Sequence, residues 1–248
     1  MKIKYILFTV LNFAFLSGYA QDQIQTDKGS ITIYPISHAT LALKWDGKTI
    51  FVDPTGGENA FADLGSPDII LITDIHGDHL NLETLQALNT SETTWIVPRA
   101  VADKLPKELA KDLAVLGNGE KTETLGMEIE AIPMYNLPEA SDGFHPKGRG
   151  NGYVLTIGNK RIYLAGDTED IPEMRALKNI DVAFVCMNLP YTMEIDQAAS
   201  AVLEFNPKIV YPYHYRGQGG LADVDTFKKL VNDGNGDIEV RLRNWYPQ

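Results

Sequence analysis

The chain has 248 residues, a formal charge of −11 and one cysteine, Cys186. Its length supports one well-buried core, and a lone cysteine excludes an internal disulfide. The acidic balance argues against nucleic acid, whose phosphates are held by clustered Lys and Arg.

Lys2 and Lys4 precede an apolar run over residues 5–16, followed by Ser17-Gly18-Tyr19-Ala20 and the polar Gln21-Asp22-Gln23. A basic start, an apolar stretch and a small-residue end predict a secretory signal peptide over residues 1–20, cut after Ala20. The apolar run is shorter than the roughly 18 residues that a membrane span needs. The expectation is an exported protein, periplasmic or secreted, with no membrane attachment after cleavage and a single domain over residues 21–248. Losing Lys2 and Lys4 would take the mature charge to −13.

Strands are expected over 31–34, 40–45 and 48–52, the last two joined by Asp46-Gly47, a strong hairpin signal. A strand over 69–73, a helix over 82–88 and a strand over 94–97 follow. Helical pieces are then expected over 100–105 and 107–113. Residues 121–125 and 127–132 predict a second hairpin, turning at Gly126. The order then repeats. Strands over 153–157 and 161–165 flank Gly158-Asn159-Lys160, and a helix over 172–177 leads to a strand over 182–187. A helix over 196–205 carries Ala198, Ala199, Val202 and Phe205 at helical spacing. A strand over 209–213, a helix over 224–231 and a strand over 238–242 close the chain. Hairpins first, strand–helix alternation after, and then the whole order again predict two similar halves. The fold class is α/β, a four-layer αββα sandwich of two mixed β-sheets with outer helices.

The chemistry concentrates at strand ends. Thr73-Asp74-Ile75-His76-Gly77-Asp78-His79 packs four metal-ligand types, Asp74, His76, Asp78 and His79, directly behind the apolar run Ile69-Ile70-Leu71-Ile72. A strand opening into a loop fixes the backbone on one side and fans ligands into a pocket on the other. Gly166-Asp167-Thr168 follows the strand over 161–165, and His214-Tyr215 follows the strand over 209–213. A Gly- and Pro-containing loop over 136–151 holds His145, and His38 stands just before the strand over 40–45. A lone histidine at a strand end is often only a hydrogen-bonded structural residue, and for His38 both readings stay open.

Together these segments resemble the metallo-β-lactamase superfamily, and more closely its lactonase-like, metal-dependent hydrolase branch. His38-Ala39-Thr40, Val52-Asp53-Pro54, Tyr163-Leu164-Ala165-Gly166-Asp167-Thr168 and Pro190-Tyr191-Thr192-Met193 extend the likeness over most of the chain. The resemblance implies two metals sharing a bridging water or hydroxide. Asp78, His79 and His214 would serve one ion, His76 the other, and Asp167 would bridge. Two positions depart from the family pattern. Asp74 stands where the family has its first histidine, and Asn136 where it has a middle-loop histidine. His145, nine residues beyond Asn136, is expected to supply the missing ligand.

The cofactor expected is a divalent metal, one or two ions per chain, zinc first and manganese or iron as alternatives. Carboxylate and amide oxygen in place of imidazole shifts a site towards the harder ions. Added negative charge also weakens its Lewis acidity, so the Asp74 side is expected to hold metal more weakly or load it differently. The reaction implied is attack by a metal-bound hydroxide on a small ester, lactone or phosphodiester, with Asp78 also orienting the water. His38, Asn136, Tyr191 and Tyr215 are the expected substrate contacts, with Arg149 and Lys147 holding an anionic group. The alternatives are a non-catalytic member that binds metal or ligand, and a nuclease, which the acidic charge disfavours. The sequence leaves substrate and oligomeric state open.

Overall fold

The computed structural model describes residues 22–246, so the expected signal segment lies outside the described residues. The first half forms β1 (Asp22–Thr26), β2 (Gly29–Ser37), β3 (Thr40–Trp45), β4 (Lys48–Val52), β5 (Ile69–Leu71), β6 (Thr94–Val97) and β7 (Asp112–Val115), with helices α1 (Leu82–Ala87) and α2 (Arg99–Ala102). The second half forms β8 (Lys121–Thr124), β9 (Met127–Met134), β10 (Gly150–Ile157), β11 (Lys160–Leu164), β12 (Val182–Val185), β13 (Ile209–Pro212) and β16 (Glu239–Val240). It also carries the helices α3 (Pro172–Arg175), α4 (Ile195–Phe205) and α5 (Val224–Gly234), and a small hairpin of β14 (Arg216–Gly217) and β15 (Gly220–Leu221).

The expected repeat is present in the topology. One seven-stranded sheet runs β1 to β7 in order, and the other runs β8 to β13 and then β16. In each, the first four strands pair antiparallel and the last three are added in parallel.

Strand alternation assigns the layers. Leu41, Leu43, Ile50, Val52, Ile69, Leu71 and Ile96 face inward and share one core with Ile129, Tyr153 and Leu155 of the other sheet. Their neighbours Ala42, Phe51, Ile70, Trp95 and Val97 face outward and pack with Leu85 and Val101 of α1 and α2. The second sheet's outer face is covered by α4 and α5 through Ala198, Val202, Phe227 and Val231. Each large apolar side chain buried in this way contributes about 1.5–3 kcal/mol. The four-layer αββα sandwich is therefore the observed architecture.

Two segments differ from expectation. The helix expected over 107–113 does not form. Pro106 starts only a turn, closed by Leu109 N–H donating to Pro106 O at 3.0 Å, and Asp112 already begins edge strand β7 beside β6. Strand β1, unexpected in the polar Asp22-Gln23-Ile24-Gln25-Thr26, buries only Ile24. An edge strand needs few apolar residues, because backbone pairing with β2 holds it.

Candidate metal centre

The parallel strands of both sheets deliver their C-terminal ends to one crevice, where open α/β sheets place ligands. Beyond β5, the loop over 73–79 curls so that the N–H groups of His79 and Leu80 donate to His76 O at 3.0 and 2.7 Å. Asn81 then caps α1, its side chain accepting from Thr84 N–H at 2.8 Å.

Asp53, just after β4, sets the chemistry of His79. Its Oδ1 accepts from Thr73 N–H at 2.8 Å, and its Oδ2 accepts from Thr73 Oγ1 at 2.6 Å and from His79 Nδ1 at 2.8 Å. Both Asp53 and His79 are fully buried. With its proton on Nδ1, neutral His79 presents an Nε2 lone pair to the crevice, the arrangement of a metal-ligating histidine backed by a carboxylate. Burial raises the pKa of Asp53, and the bonds from His79 and Thr73 offset only part of that rise.

That lone pair meets other donors. His79 Nε2 lies 3.1 Å from His214 Nε2 and 3.2 Å from Asp167 Oδ2. Asp167 Oδ1 lies 3.2 Å from His214 Nε2 but without hydrogen-bond geometry, so this buried oxygen has no hydrogen-bond partner. Two imidazole nitrogens face to face and an orphaned buried carboxylate oxygen are a donor set for a cation. Burial opposes ionisation of Asp167, but the charges of His214 and His79 and the bond from His145 outweigh it and hold the carboxyl well below 3.8.

Backbone strain gathers here too. His38, Asp53 and His214 adopt positive φ values of 55°, 45° and 47° without being glycine. His214 N–H donates to His38 O at 3.1 Å, and the two rings lie 3.8 Å apart. Gly166, at φ 65°, precedes Asp167; a Cβ there would come within 2.7 Å of Met134 Sδ and 3.2 Å of Thr73 Cβ. Glycine at 166 lets the two ligand loops approach.

Asp78 lies at the outer edge, its side chain 43% exposed, with Oδ2 3.2 Å from His38 Nε2 and 3.4 Å from His214 Nε2. Tyr246 hydroxyl, which accepts from Arg216 N–H at 2.9 Å, lies 2.7 Å from His38 Nδ1. A hydrogen donated from Tyr246 to Nδ1 leaves Nε2–H of His38 to donate to Asp78. Burial lowers the pKa of His38, in keeping with a neutral ring.

The other end of the motif is built differently. Asp74 is fully buried, and Arg149 grips it with a fork: Nε donates to Oδ1 at 3.0 Å and Nη2 to Oδ2 at 2.9 Å. His76 Nδ1 adds a contact to Oδ2 at 2.9 Å. Burial would raise Asp74, yet these partners hold its pKa below 3.8. His145 is buried with Nε2 3.0 Å from Asp167 Oδ2, so the loop does bring it to the centre. Asn136 Oδ1 accepts from the N–H of His145 at 2.8 Å and lies 3.0 Å from Nδ1, which must therefore carry a proton.

Several expected substrate contacts have other work. Asn136 Nδ2 donates to Glu169 Oε1 at 3.1 Å and Tyr191 O at 2.8 Å, so its whole amide is used in holding His145 and the loop. Tyr215 is buried, its hydroxyl donating to Arg243 O at 3.3 Å and its ring packed against Tyr246. Lys147 is spread over Glu139 at 3.0 Å and Glu173 at 3.2 Å, and Arg149 over Asp74. Neither is a free anion holder. Tyr191, half-buried, packs edge-on to exposed Phe144 at 5.1 Å. Residue-by-residue reading assigned no role to Asp53 or Tyr246. An acidic residue directly after a strand, facing the motif strand, was the available signal for Asp53; Tyr246 offered none.

Two facing mixed sheets with imidazoles and carboxylates converging at their strand ends define a metallohydrolase-type sandwich. A family model described as beta-lactamase superfamily domain matches residues 32–214, and the chain belongs to that family. Among curated relatives, the UPF0173 metal-dependent hydrolase of Pyrococcus abyssi is 31% identical over 208 residues, covering 80% of this chain and 91% of the relative. Its Pyrococcus horikoshii counterpart is 32% identical over 209 residues, with the same coverage of both chains. A crystal structure of a metal-dependent hydrolase candidate from Parabacteroides distasonis is 41% identical, covers 90% of this chain and 97% of its own, and superposes with a TM-score of 0.80.

Proposed function

We propose that this protein is a metal-dependent hydrolase, exported from the cell, that cleaves a small ester, lactone or phosphodiester. The observation that carries the reading is a convergence: His79 Nε2 lies 3.1 Å from His214 Nε2 and 3.2 Å from Asp167 Oδ2, and the orphaned Asp167 Oδ1 lies 3.2 Å from His214 Nε2. His79, Asp167 and His214 would hold the ion, with Asp78 beside them; the mixed nitrogen and oxygen donors suit zinc, manganese or iron. A divalent ion there supplies Lewis acidity and a water of lowered pKa.

The chain's own residues do the rest. Asp53 keeps the proton of His79 on Nδ1 and the ring in line. Asp78 stays ionised: burial would raise its pKa, but the His214 ring 3.4 Å away and the bond from His38 hold it far below 3.8. An ionised, half-exposed carboxylate can accept a hydrogen bond from an attacking water and fix its direction. Tyr246 and His38 hold Asp78 in turn.

A substrate with an apolar part fits the surroundings. Met187, whose N–H donates to His214 O at 3.4 Å, lines a half-open cavity of about 390 Å³ with Leu189, Met193 and Leu221 and the acidic Glu194 and Asp196. Exposed Phe144 adds a further apolar surface beside Tyr191. Export rests on the N-terminal pattern alone; a mature protein beginning at Gln21 in the extracytoplasmic fraction would support it, and an uncut chain in the cytoplasm would refute it.

The test of function is turnover of a panel of lactones, esters and phosphodiesters with and without added metal. Activity should require metal and disappear in His79→Ala and Asp167→Ala while circular dichroism shows the fold retained. Turnover that survives both substitutions would refute the site. Stoichiometric metal binding without turnover of any substrate would favour the non-catalytic alternative.

A further inference from the structure

Asp74, His76 and His145 offer one ligand atom each within 4.8 Å of one another, so by composition they form a second metal site. Their bonds say otherwise. Both oxygens of Asp74 are taken by Arg149, at 3.0 and 2.9 Å, and His76 Nδ1 takes Oδ2 as well at 2.9 Å. Arg149 is itself fixed: its side chain is 18% exposed, and Nη2 also donates to Phe144 O at 2.6 Å. The same Nη2 lies 3.5 Å from His76 Nε2. Guanidinium cannot be discharged at any working pH, and a two-point fork on a buried carboxylate is among the more stable polar contacts in proteins. A divalent ion drawn to Asp74 would have to displace this cation or sit beside it in a low-dielectric crevice. The three residues therefore do not fit a second ion.

We propose that the centre is mononuclear, and that the Arg149 guanidinium, neutralising Asp74, is the fixed second positive charge where the family expectation places an ion. This rests on reading His79, Asp167 and His214 as a metal site. His76 and His145 are then free of metal. His145, its backbone and ring both tied to Asn136, lies with Nε2 3.0 Å from Asp167 Oδ2, and His76 lines the crevice beside Arg149. Arg149 was expected to meet an anionic substrate directly; its charge instead reaches the crevice from behind His76.

The test is the number and place of bound ions. Full-length mature protein, stripped with chelator and dialysed against excess Mn²⁺ or Zn²⁺, is expected to hold one ion per chain. Crystals of that protein should show one anomalous peak, at His79, Asp167 and His214. A second ion, or a peak at Asp74 and His145, would overturn the proposal while leaving the hydrolase reading intact. No ion at all would overturn both. Arg149 removed alone strands a buried charge, so the informative variant is Asp74→His combined with Arg149→Gln, which removes anion and cation together. Two ions per chain in that variant support the proposal; one ion, with the fold retained by circular dichroism, shows that the pair is not what keeps the second ion out.

Discussion

The two ends of the heptad 73–79 solve the same electrostatic problem in opposite ways. At the His79 end, buried donors are turned on one another, and His214 Nε2 lies 3.1 Å from His79 Nε2. At the Asp74 end, an equally buried carboxylate already has its cation, the fork of Arg149 at 3.0 and 2.9 Å. Ligand-type residues at ligand spacing are thus insufficient to define a metal site. What separates the two ends is whether the lone pairs are already spent.

That contrast can be broken most severely by removing Asp167. Asp167→Ala deletes the oxygens shared by His79, His145 and His214, and both metal binding and turnover should fall to background by calorimetry and steady-state assay. Retained metal binding would show that the converging donors are not the site.

The second largest effect is expected at the other end. Arg149→Ala leaves buried Asp74 with only His76 Nδ1 at 2.9 Å, and should cost about 3–5 kcal/mol in urea denaturation. Asp74→Leu with Arg149→Met, which removes both charges, should recover most of that loss. An Arg149→Ala cost below about 1 kcal/mol would mean that the pair behaves like an exposed one.

A smaller effect is expected behind His79. Asp53→Asn removes the carboxylate that fixes the ring, and metal affinity should weaken about 10- to 100-fold without loss of the fold. Unchanged affinity would remove Asp53 from the account.

Acid should separate the ends most gently. Burial disfavours charge on His79, but Asp167 and Asp53 outweigh it and raise its pKa well above 6.5. Protons therefore compete for the ion, and metal affinity should weaken as pH falls from above that value. Asp74 is shifted the other way, below 3.8. Its contribution to stability is complete above its unfolded value and is lost only as pH falls through the lower folded one. Metal release should therefore precede acid unfolding of the Asp74 region. Loss of both in a single step would contradict the separation.

Much of this was legible in the sequence because it is local. Apolar runs in 40–52 and 69–72 set the strands, and the clustering of Asp78 and His79 behind β5 needed no tertiary knowledge. What was not legible depends on partners distant in the chain. Arg149 and Asp74 are 75 positions apart and His38 and Tyr246 are 208 apart, and no spacing rule predicts those meetings. Asp74 reads as a hard metal ligand because the sequence does not show its fork with Arg149, and Asn136, Lys147 and Tyr215 read as substrate contacts because it does not show their partners. Strand β1 was illegible for a different reason: its polar composition hides an edge strand that backbone pairing with β2 sustains.

Reloading the chelator-stripped protein in steps while following hydrolysis tests the central claim most directly. Turnover should rise linearly to one equivalent of metal per chain and then stay level. A rise that continues to a second equivalent, or hydrolysis by the stripped protein, would contradict the account.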